Sequence, residues 1–73
     1  MMPTETIYVS LLEEHIPVRR PVLAEKVRDG VYRILDQEYD RDIETWEFPP
    51  GTEVLCHIIQ GSVGPILAAV ARA

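Results

Sequence analysis

Apolar and polar residues alternate along this chain in short units, which is the pattern of β-strands with one buried face. No long amphipathic stretch of helical period separates these units. Each unit predicts a strand whose apolar members face the core. The units are Ile7, Val9 and Leu11; Val22 and Ala24; Tyr32 and Ile34; Val54, Cys56 and Ile58; and Ile66, Ala68 and Val70.

Turn residues separate the predicted strands. Asp29-Gly30 lies between two β-prone runs and predicts a tight hairpin, because glycine supplies the positive φ that such a turn needs. In the stretch WEFPPGTEVLC, two prolines remove two backbone donors and Gly51 lets the chain turn, which predicts a strand, a corner and a second strand. Trp46 and Phe48 are two positions apart, so we expect both rings on one face and in the core.

The C-terminal segment GSVGPILAAVARA leaves two interpretations open. Pro65 and the alanine-rich tail favour a helix, whereas the alternation of apolar residues and the need to close a small sheet favour a strand. We predict the strand. Residues 1–73 are then a single all-β domain, a small barrel of five or six short antiparallel strands.

Length and cysteine content restrict the class of protein. A domain of 73 residues has room for one small core and is marginally stable unless a disulfide, a metal or a partner reinforces it. Cys56 is the only cysteine, which suits a reducing compartment. With neither a signal segment nor an apolar run of about 20 residues, the sequence predicts a cytoplasmic protein without a membrane partner.

The net charge of −5 is concentrated in one segment, residues 36–47, where six acidic residues face Arg41 alone. The rest of the chain has six acidic and six basic residues, so it is neutral overall. A protein that binds phosphates needs a basic surface, so nucleic acid is a disfavoured partner. We expect a solvated acidic loop, and its candidate partner-binding residues are Asp36, Glu38, Tyr39, Asp40, Asp42 and Glu44.

The same segment has an alternative interpretation as a cation site. Counted from Asp36, oxygen-bearing residues fall at the ligand positions of a twelve-residue calcium loop. However, Arg41 stands where the sharp turn requires glycine, and neither flank has the pattern of a helix. We therefore predict no metal site and no cofactor, with a metal-dependent accessory or enzyme using residues 36–47 as the alternative.

The sequence offers no set of residues with the spacing that a catalytic site requires. Cys56 and His57 are adjacent on a predicted strand, so their side chains point to opposite faces and cannot share a site. His15 has no acid arranged to orient it, and no paired cysteine or histidine spacing supports zinc. We predict a buried structural thiol, an exposed histidine and no catalytic residues. Tyr39, among acids, is expected at the surface.

Two stretches, RRPVLAEKVRDGVYRIL and WEFPPGTEVLC, carry a resemblance to a known group of proteins. They are similar to small bacterial proteins of uncharacterised function that have an Arg-Pro-Val-x-Ala-Glu segment, a Gly-x-Tyr-Arg hairpin and a Trp-Glu-Phe-Pro-Pro-Gly corner. The resemblance implies an SH3-like barrel in the bacterial cytoplasm, with no catalytic motif to transfer. Such proteins often have an aromatic residue where Arg19 stands here.

Two predictions of function follow from these observations. The first is a non-catalytic interaction module that presents its acidic loop and part of its aromatic surface to a basic or extended segment of a protein partner. The second is a homodimer through the C-terminal strand, since an edge strand with one charged side chain leaves backbone groups free to pair. The predicted dimer interface comprises Ile66, Leu67 and Val70.

Overall fold

Six β-strands form the regular structure of residues 3–73, the part of the chain that this computed structural model describes. The strands are β1 (Thr4–Leu12), β2 (Arg19–Arg28), β3 (Val31–Ile34), β4 (Thr45–Trp46), β5 (Glu53–Gly61) and β6 (Gly64–Arg72). The prediction of an all-β protein with a C-terminal strand is confirmed. The described residues include no helix with the length and apolar character that crossing a membrane requires.

The strands form a closed ring of hydrogen bonds in the order β1-β2-β3-β5-β6, with β6 returning to β1. The short β4 extends the sheet beside the end of β1. Neighbouring strands are antiparallel except at the closure, where Tyr8 pairs with Ala68 in a parallel arrangement. The closing pair is parallel because five strands that alternate in direction begin and end in the same direction.

The core lies inside this ring. Ile7 and Val9 of β1 face it, as the alternation predicts, and so do Trp46 and Phe48 on either side of Glu47. The other buried members of the core are Val22, Ala24, Tyr32, Ile34, Val54, Cys56 and Ala69, and the partly buried Leu11, Tyr39 and Leu67 pack against it.

Glycines in the left-handed region make two of the predicted turns. Gly30 has φ of 76° and closes the β2–β3 hairpin after Asp29, and Gly51 has φ of 91° at the corner that follows the two prolines. A third turn was not predicted: Ser62 and Val63 join β5 to β6 in a two-residue hairpin between Gly61 and Gly64.

Two residues that the alternation assigns to the core are exposed in the structure. Ile58 lies on the core-facing side of β5 yet is 67% exposed, because the β5–β6 hairpin continues beyond the core. Val70 is 44% exposed because β6 turns Leu67 and Ala69 toward the core, which leaves Val70 on the other face of the strand. The β5–β6 register also shifts beside Val70, since Leu55 pairs with Ala71 and Cys56 with Ala69. The predictions that Ile58 and Val70 are core residues are wrong.

Candidate functional site

The acidic loop is the chain between β3 and β4, residues 35–44, and the Gln37 side chain fixes its start. The Gln37 Oε1 accepts a hydrogen bond from the backbone N–H of Leu23 at 2.9 Å, and its Nε2 donates to the Leu23 carbonyl at 2.9 Å. The same Nε2 also donates to the Leu35 carbonyl at 2.7 Å. The amide thus extends the β2 ladder beyond the end of β3. No local sequence pattern indicates this role of Gln37, because it joins residues that are distant in sequence.

Glu44 fixes the other end of the loop. Its Oε1 accepts a hydrogen bond from the Trp46 indole Nε1 at 2.9 Å and lies 3.0 Å from the Arg20 Nε. The half-buried carboxylate therefore satisfies the polar atom of a buried ring and neutralises a basic side chain on β2. The Glu44 carboxylate is thus engaged in contacts within the fold, and it has little hydrogen-bonding capacity left for a partner.

The middle of the loop packs on the core through Tyr39. Its ring stacks on Trp46 with centroids 4.0 Å apart and planes 20° apart. Trp46 occupies one face of the Tyr39 ring, which leaves the other face to the Arg41 guanidinium, 5.3 Å from the centroid. Tyr39 is only partly exposed, because this packing covers one face of its ring.

Asp40 shapes the turn that returns the chain to β4. Its Oδ1 accepts a hydrogen bond from the Asp42 N–H at 2.9 Å, and its backbone carbonyl accepts from the N–H of Ile43 and of Glu44. Short polar side chains form such local bonds readily, which is why aspartate is favoured in turns. Asp40 therefore keeps one oxygen free for other ligands.

An open depression of about 670 Å³ lies on this loop. It is lined by Asp36, Gln37, Glu38, Tyr39, Asp40 and Arg41. Asp36, Glu38 and Asp42 are exposed, and within residues 3–73 none of them has a basic side chain at salt-bridge distance. The structure thus brings together an aromatic ring and unneutralised carboxylates from one short segment.

Protein-family models, curated proteins and solved structures give no match to this chain. The resemblance to small bacterial proteins accordingly stays a prediction.

The acidic side chains do not converge as a calcium loop requires. Across residues 3–73, no group of three or more acid, histidine or cysteine side chains is placed to hold one ion. Glu44, at the ninth position of the calcium count, is turned toward Trp46 and Arg20, and Asp40 caps its own turn. This arrangement gives the metal alternative no geometric support.

Cys56 and His57 point to opposite sides of β5, as predicted. Cys56 is buried, and burial raises the pKa of its thiol to about 11, so the thiol is protonated and unreactive at neutral pH. His57 is exposed on the other side of the strand, and His15 is exposed in the β1–β2 connection. These three side chains do not form a nucleophile and base pair.

The predicted dimer residues lie on a strand that has neighbours on both sides. β6 pairs with β5 along its length, and on its other side Ala68 pairs with Tyr8 of β1, so β6 is not a free edge at that point and the homodimer through it stays a prediction. Leu67 packs against the core, and Ile66 is half-buried. Val70 is the most exposed of the three, at the register shift of β6.

Proposed function

We propose that this protein is a non-catalytic binding module whose acidic loop receives a basic, extended segment of a protein partner. The charge distribution supports this proposal, because the net charge of −5 arises within residues 36–47. Three of the six basic residues outside the loop lie in ion pairs; Arg33, for example, pairs with Glu25 and Glu53. A basic partner is therefore attracted to one part of the surface.

The observation that carries the proposal is the Arg41 guanidinium over the Tyr39 ring. The face of an aromatic ring attracts a cation, and nearby carboxylates strengthen the attraction. Asp36 and Glu38 line the same depression. The surface therefore has the chemistry to hold an arginine or lysine side chain of a partner in the place that Arg41 now takes.

The anchoring of the loop supports the proposal energetically. Gln37 bonds to β2, Glu44 bonds to Trp46 and Arg20, and Tyr39 stacks on the core. A surface that is already ordered loses less conformational entropy when a partner binds. The carboxylates are thereby presented at fixed positions, which favours recognition of spaced basic residues over unspecific attraction.

The experiment is an NMR titration of the labelled protein with an arginine- and lysine-containing nonapeptide, at 50 and 300 mM salt. We expect amide shifts confined to residues 36–47 and an affinity that falls at high salt, because screening weakens exposed charge pairs. A polyglutamate peptide of the same length should cause no shift. Shifts spread over the whole surface, or none at all, would refute the proposal.

Two double variants that remove the same number of charges distinguish binding at the depression from attraction by the net charge. Asp36→Asn with Glu38→Gln removes two charges from the depression, and Glu13→Gln with Glu14→Gln removes two exposed charges from the β1–β2 connection. The first pair should weaken peptide binding about tenfold, on the scale of two exposed charge interactions. Equal weakening by both pairs would mean that only net charge matters.

A further inference from the structure

The β5–β6 hairpin has an open backbone edge. β5 has nine residues, but β3 has only four and pairs only with Glu53, Val54 and Leu55. Within residues 3–73, the later part of β5, residues 57–61, pairs with β6 alone. The side of this segment that faces away from β6 is therefore a strand edge without a neighbour.

The hydrogen bond of Cys56, which follows the last β5 residue paired with β3, shows which way the free backbone groups of β5 point. The Cys56 N–H donates to the Gly30 carbonyl at 2.8 Å, which lies on the β3 side of β5. Backbone groups alternate in direction along an antiparallel strand. The N–H and C=O groups of Ile58 and Gln60 thus point to the same side, beyond the end of β3, where no strand accepts them.

The usual protections of an edge strand are absent from residues 57–61 of β5, which include no charged residue, proline or bulge. Residues 54–71 contain no Asp, Glu, Lys or Arg, although a quarter of the whole chain is charged. Ile58 is 67% exposed and Val63, at the tip of the hairpin, is 98% exposed. Natural proteins usually block exposed edges with charges, prolines or bulges, and an unblocked edge is a template for another strand.

A second copy of the chain fits this edge, because it brings the same uncharged strand with the same free backbone groups. Two molecules with a net charge of −5 repel each other unless their acidic loops stay apart. The acidic loop lies away from the hairpin tip: Ile34, just before the loop, bonds to Thr52, just before β5. β4, just after the loop, pairs with the end of β1, which the parallel Tyr8–Ala68 pair places beside the end of β6. The uncharged hairpin tip lies at the far end of β5, where two copies can meet with the least repulsion.

We propose that two copies of this protein associate through antiparallel pairing of the β5 edge, residues 57–61. In the two-fold arrangement, Ile59 lies opposite Ile59 of the second copy, and Ile58 pairs with Gln60 of the second copy in both directions. The free N–H and C=O groups of both residues are then satisfied. A two-fold pairing of this kind closes on itself and does not continue into a fibre.

The test is sedimentation of the full chain from about 10 μM to 1 mM, because an interface of one strand pair is small and binds weakly. We expect the average mass to rise with concentration toward twice that of the monomer. Ile58→Lys places two lysines diagonally across the Ile59–Ile59 pair, where like charges repel, and should stay monomeric. Ile43→Lys is the matched control, since Ile43 is 74% exposed in the acidic loop and the change in charge is the same.

Amide hydrogen exchange locates the interface independently of any variant. The N–H groups of Ile58 and Gln60 should exchange more slowly as the concentration rises, while those of the acidic loop should not change. Gln60→Pro, which removes one of these N–H groups, should abolish the dimer even if Ile58→Lys does not fold. A chain that is monomeric at 1 mM, an unchanged dimer in Ile58→Lys, or fast exchange at Ile58 within the dimer would each overturn the proposal.

Discussion

Tyr39 and Trp46 stack face to face, with ring centroids 4.0 Å apart, and this contact joins the acidic loop to the core of the barrel. Trp46 is buried, whereas Tyr39 belongs to the most acidic part of the chain. The stack explains why the loop of residues 35–44, with five acidic residues, packs on the barrel: its one aromatic side chain, Tyr39, has a fixed place. The depression around Asp36 and Glu38 rests on this contact.

We predict that Tyr39→Ala lowers the free energy of unfolding by about 1–3 kcal/mol. An aromatic pair contributes about 0.5–1.5 kcal/mol beyond the area it buries, and the half-buried ring adds its own hydrophobic share. Urea unfolding followed by circular dichroism measures the change. Tyr39→Phe keeps the stack and should stay within about 0.5 kcal/mol of the original protein. Similar losses in both variants would place the effect in the hydroxyl group instead.

Arg41→Ala is predicted to strengthen the binding of a basic peptide about two- to fivefold, if the proposed function is correct. The variant frees the Tyr39 ring from its internal cation, whose attraction is about 0.5–1 kcal/mol at an exposed site. Isothermal titration calorimetry measures the affinity. Arg28→Ala makes the same change in charge at the exposed end of β2 and should have a smaller effect. Weaker binding by Arg41→Ala would mean that Arg41 itself contacts the partner.

Much of the fold could be predicted because its signals are local. The Asp29-Gly30 turn, the proline corner and the period of two in each strand depend on neighbouring residues only. The errors have a different cause. Ile58 fits the alternation of β5. However, the point along β5 at which the core ends depends on the length of β3, and no local pattern in β5 predicts that point. Val70 fits the alternation of β6, but this strand packs on the core through Leu67 and Ala69, and which of its two apolar faces turns inward depends on the rest of the barrel.

The candidate site was predicted as a segment but not in detail. Acidic residues between two strands indicate a surface loop, and the loop is where it was expected. The sequence could not show that Glu44 serves Trp46 and Arg20, because Arg20 lies on a distant strand. For the same reason, the alternating acids resembled a calcium loop although Glu44 bonds to Trp46 and Arg20 and Asp40 bonds within its own turn.

Alkaline pH is predicted to destabilise the protein between about pH 9 and 11. Burial raises the pKa of Cys56 from its ordinary value of 9.0 to about 11, so in this range the unfolded chain binds fewer protons than the folded one. Stability is then complete below pH 9 and falls as pH rises, by about 2–3 kcal/mol in total for this group. Burial raises the pKa of Tyr32 as well, which acts in the same direction.

Urea unfolding at pH 8, 9, 10 and 10.5 tests this dependence. Cys56→Ala is less stable at every pH because it leaves a cavity, but its stability should fall less steeply above pH 9. The slope that remains belongs mainly to Tyr32. Identical slopes for the original protein and Cys56→Ala would contradict the assignment to the thiol.

The last prediction concerns Gln37, whose side chain takes the place of a strand residue beside β2. Its amide makes three hydrogen bonds, two with the Leu23 backbone and one with the Leu35 carbonyl. Gln37→Ala should lower the free energy of unfolding by about 1–2 kcal/mol, because each such bond contributes about 0.5–1.5 kcal/mol and solvent replaces part of it. The Leu23 amide should also exchange faster with solvent, since it loses its acceptor.

Two further variants test whether the loss of stability in Gln37→Ala comes from these hydrogen bonds. Gln37→Glu keeps the acceptor for the Leu23 N–H but loses both donors and places a carboxylate against two carbonyl groups, so it should be at least as destabilising as Gln37→Ala. Gln60→Ala is the matched control, because the Gln60 amide reaches only the carbonyl of its neighbour Gly61 at 3.4 Å. It should change stability by less than about 0.5 kcal/mol. If Gln37→Ala were equally harmless, the side chain would not be part of the sheet, and the start of the acidic loop would be held by the Leu35 N–H bond to Leu23 alone.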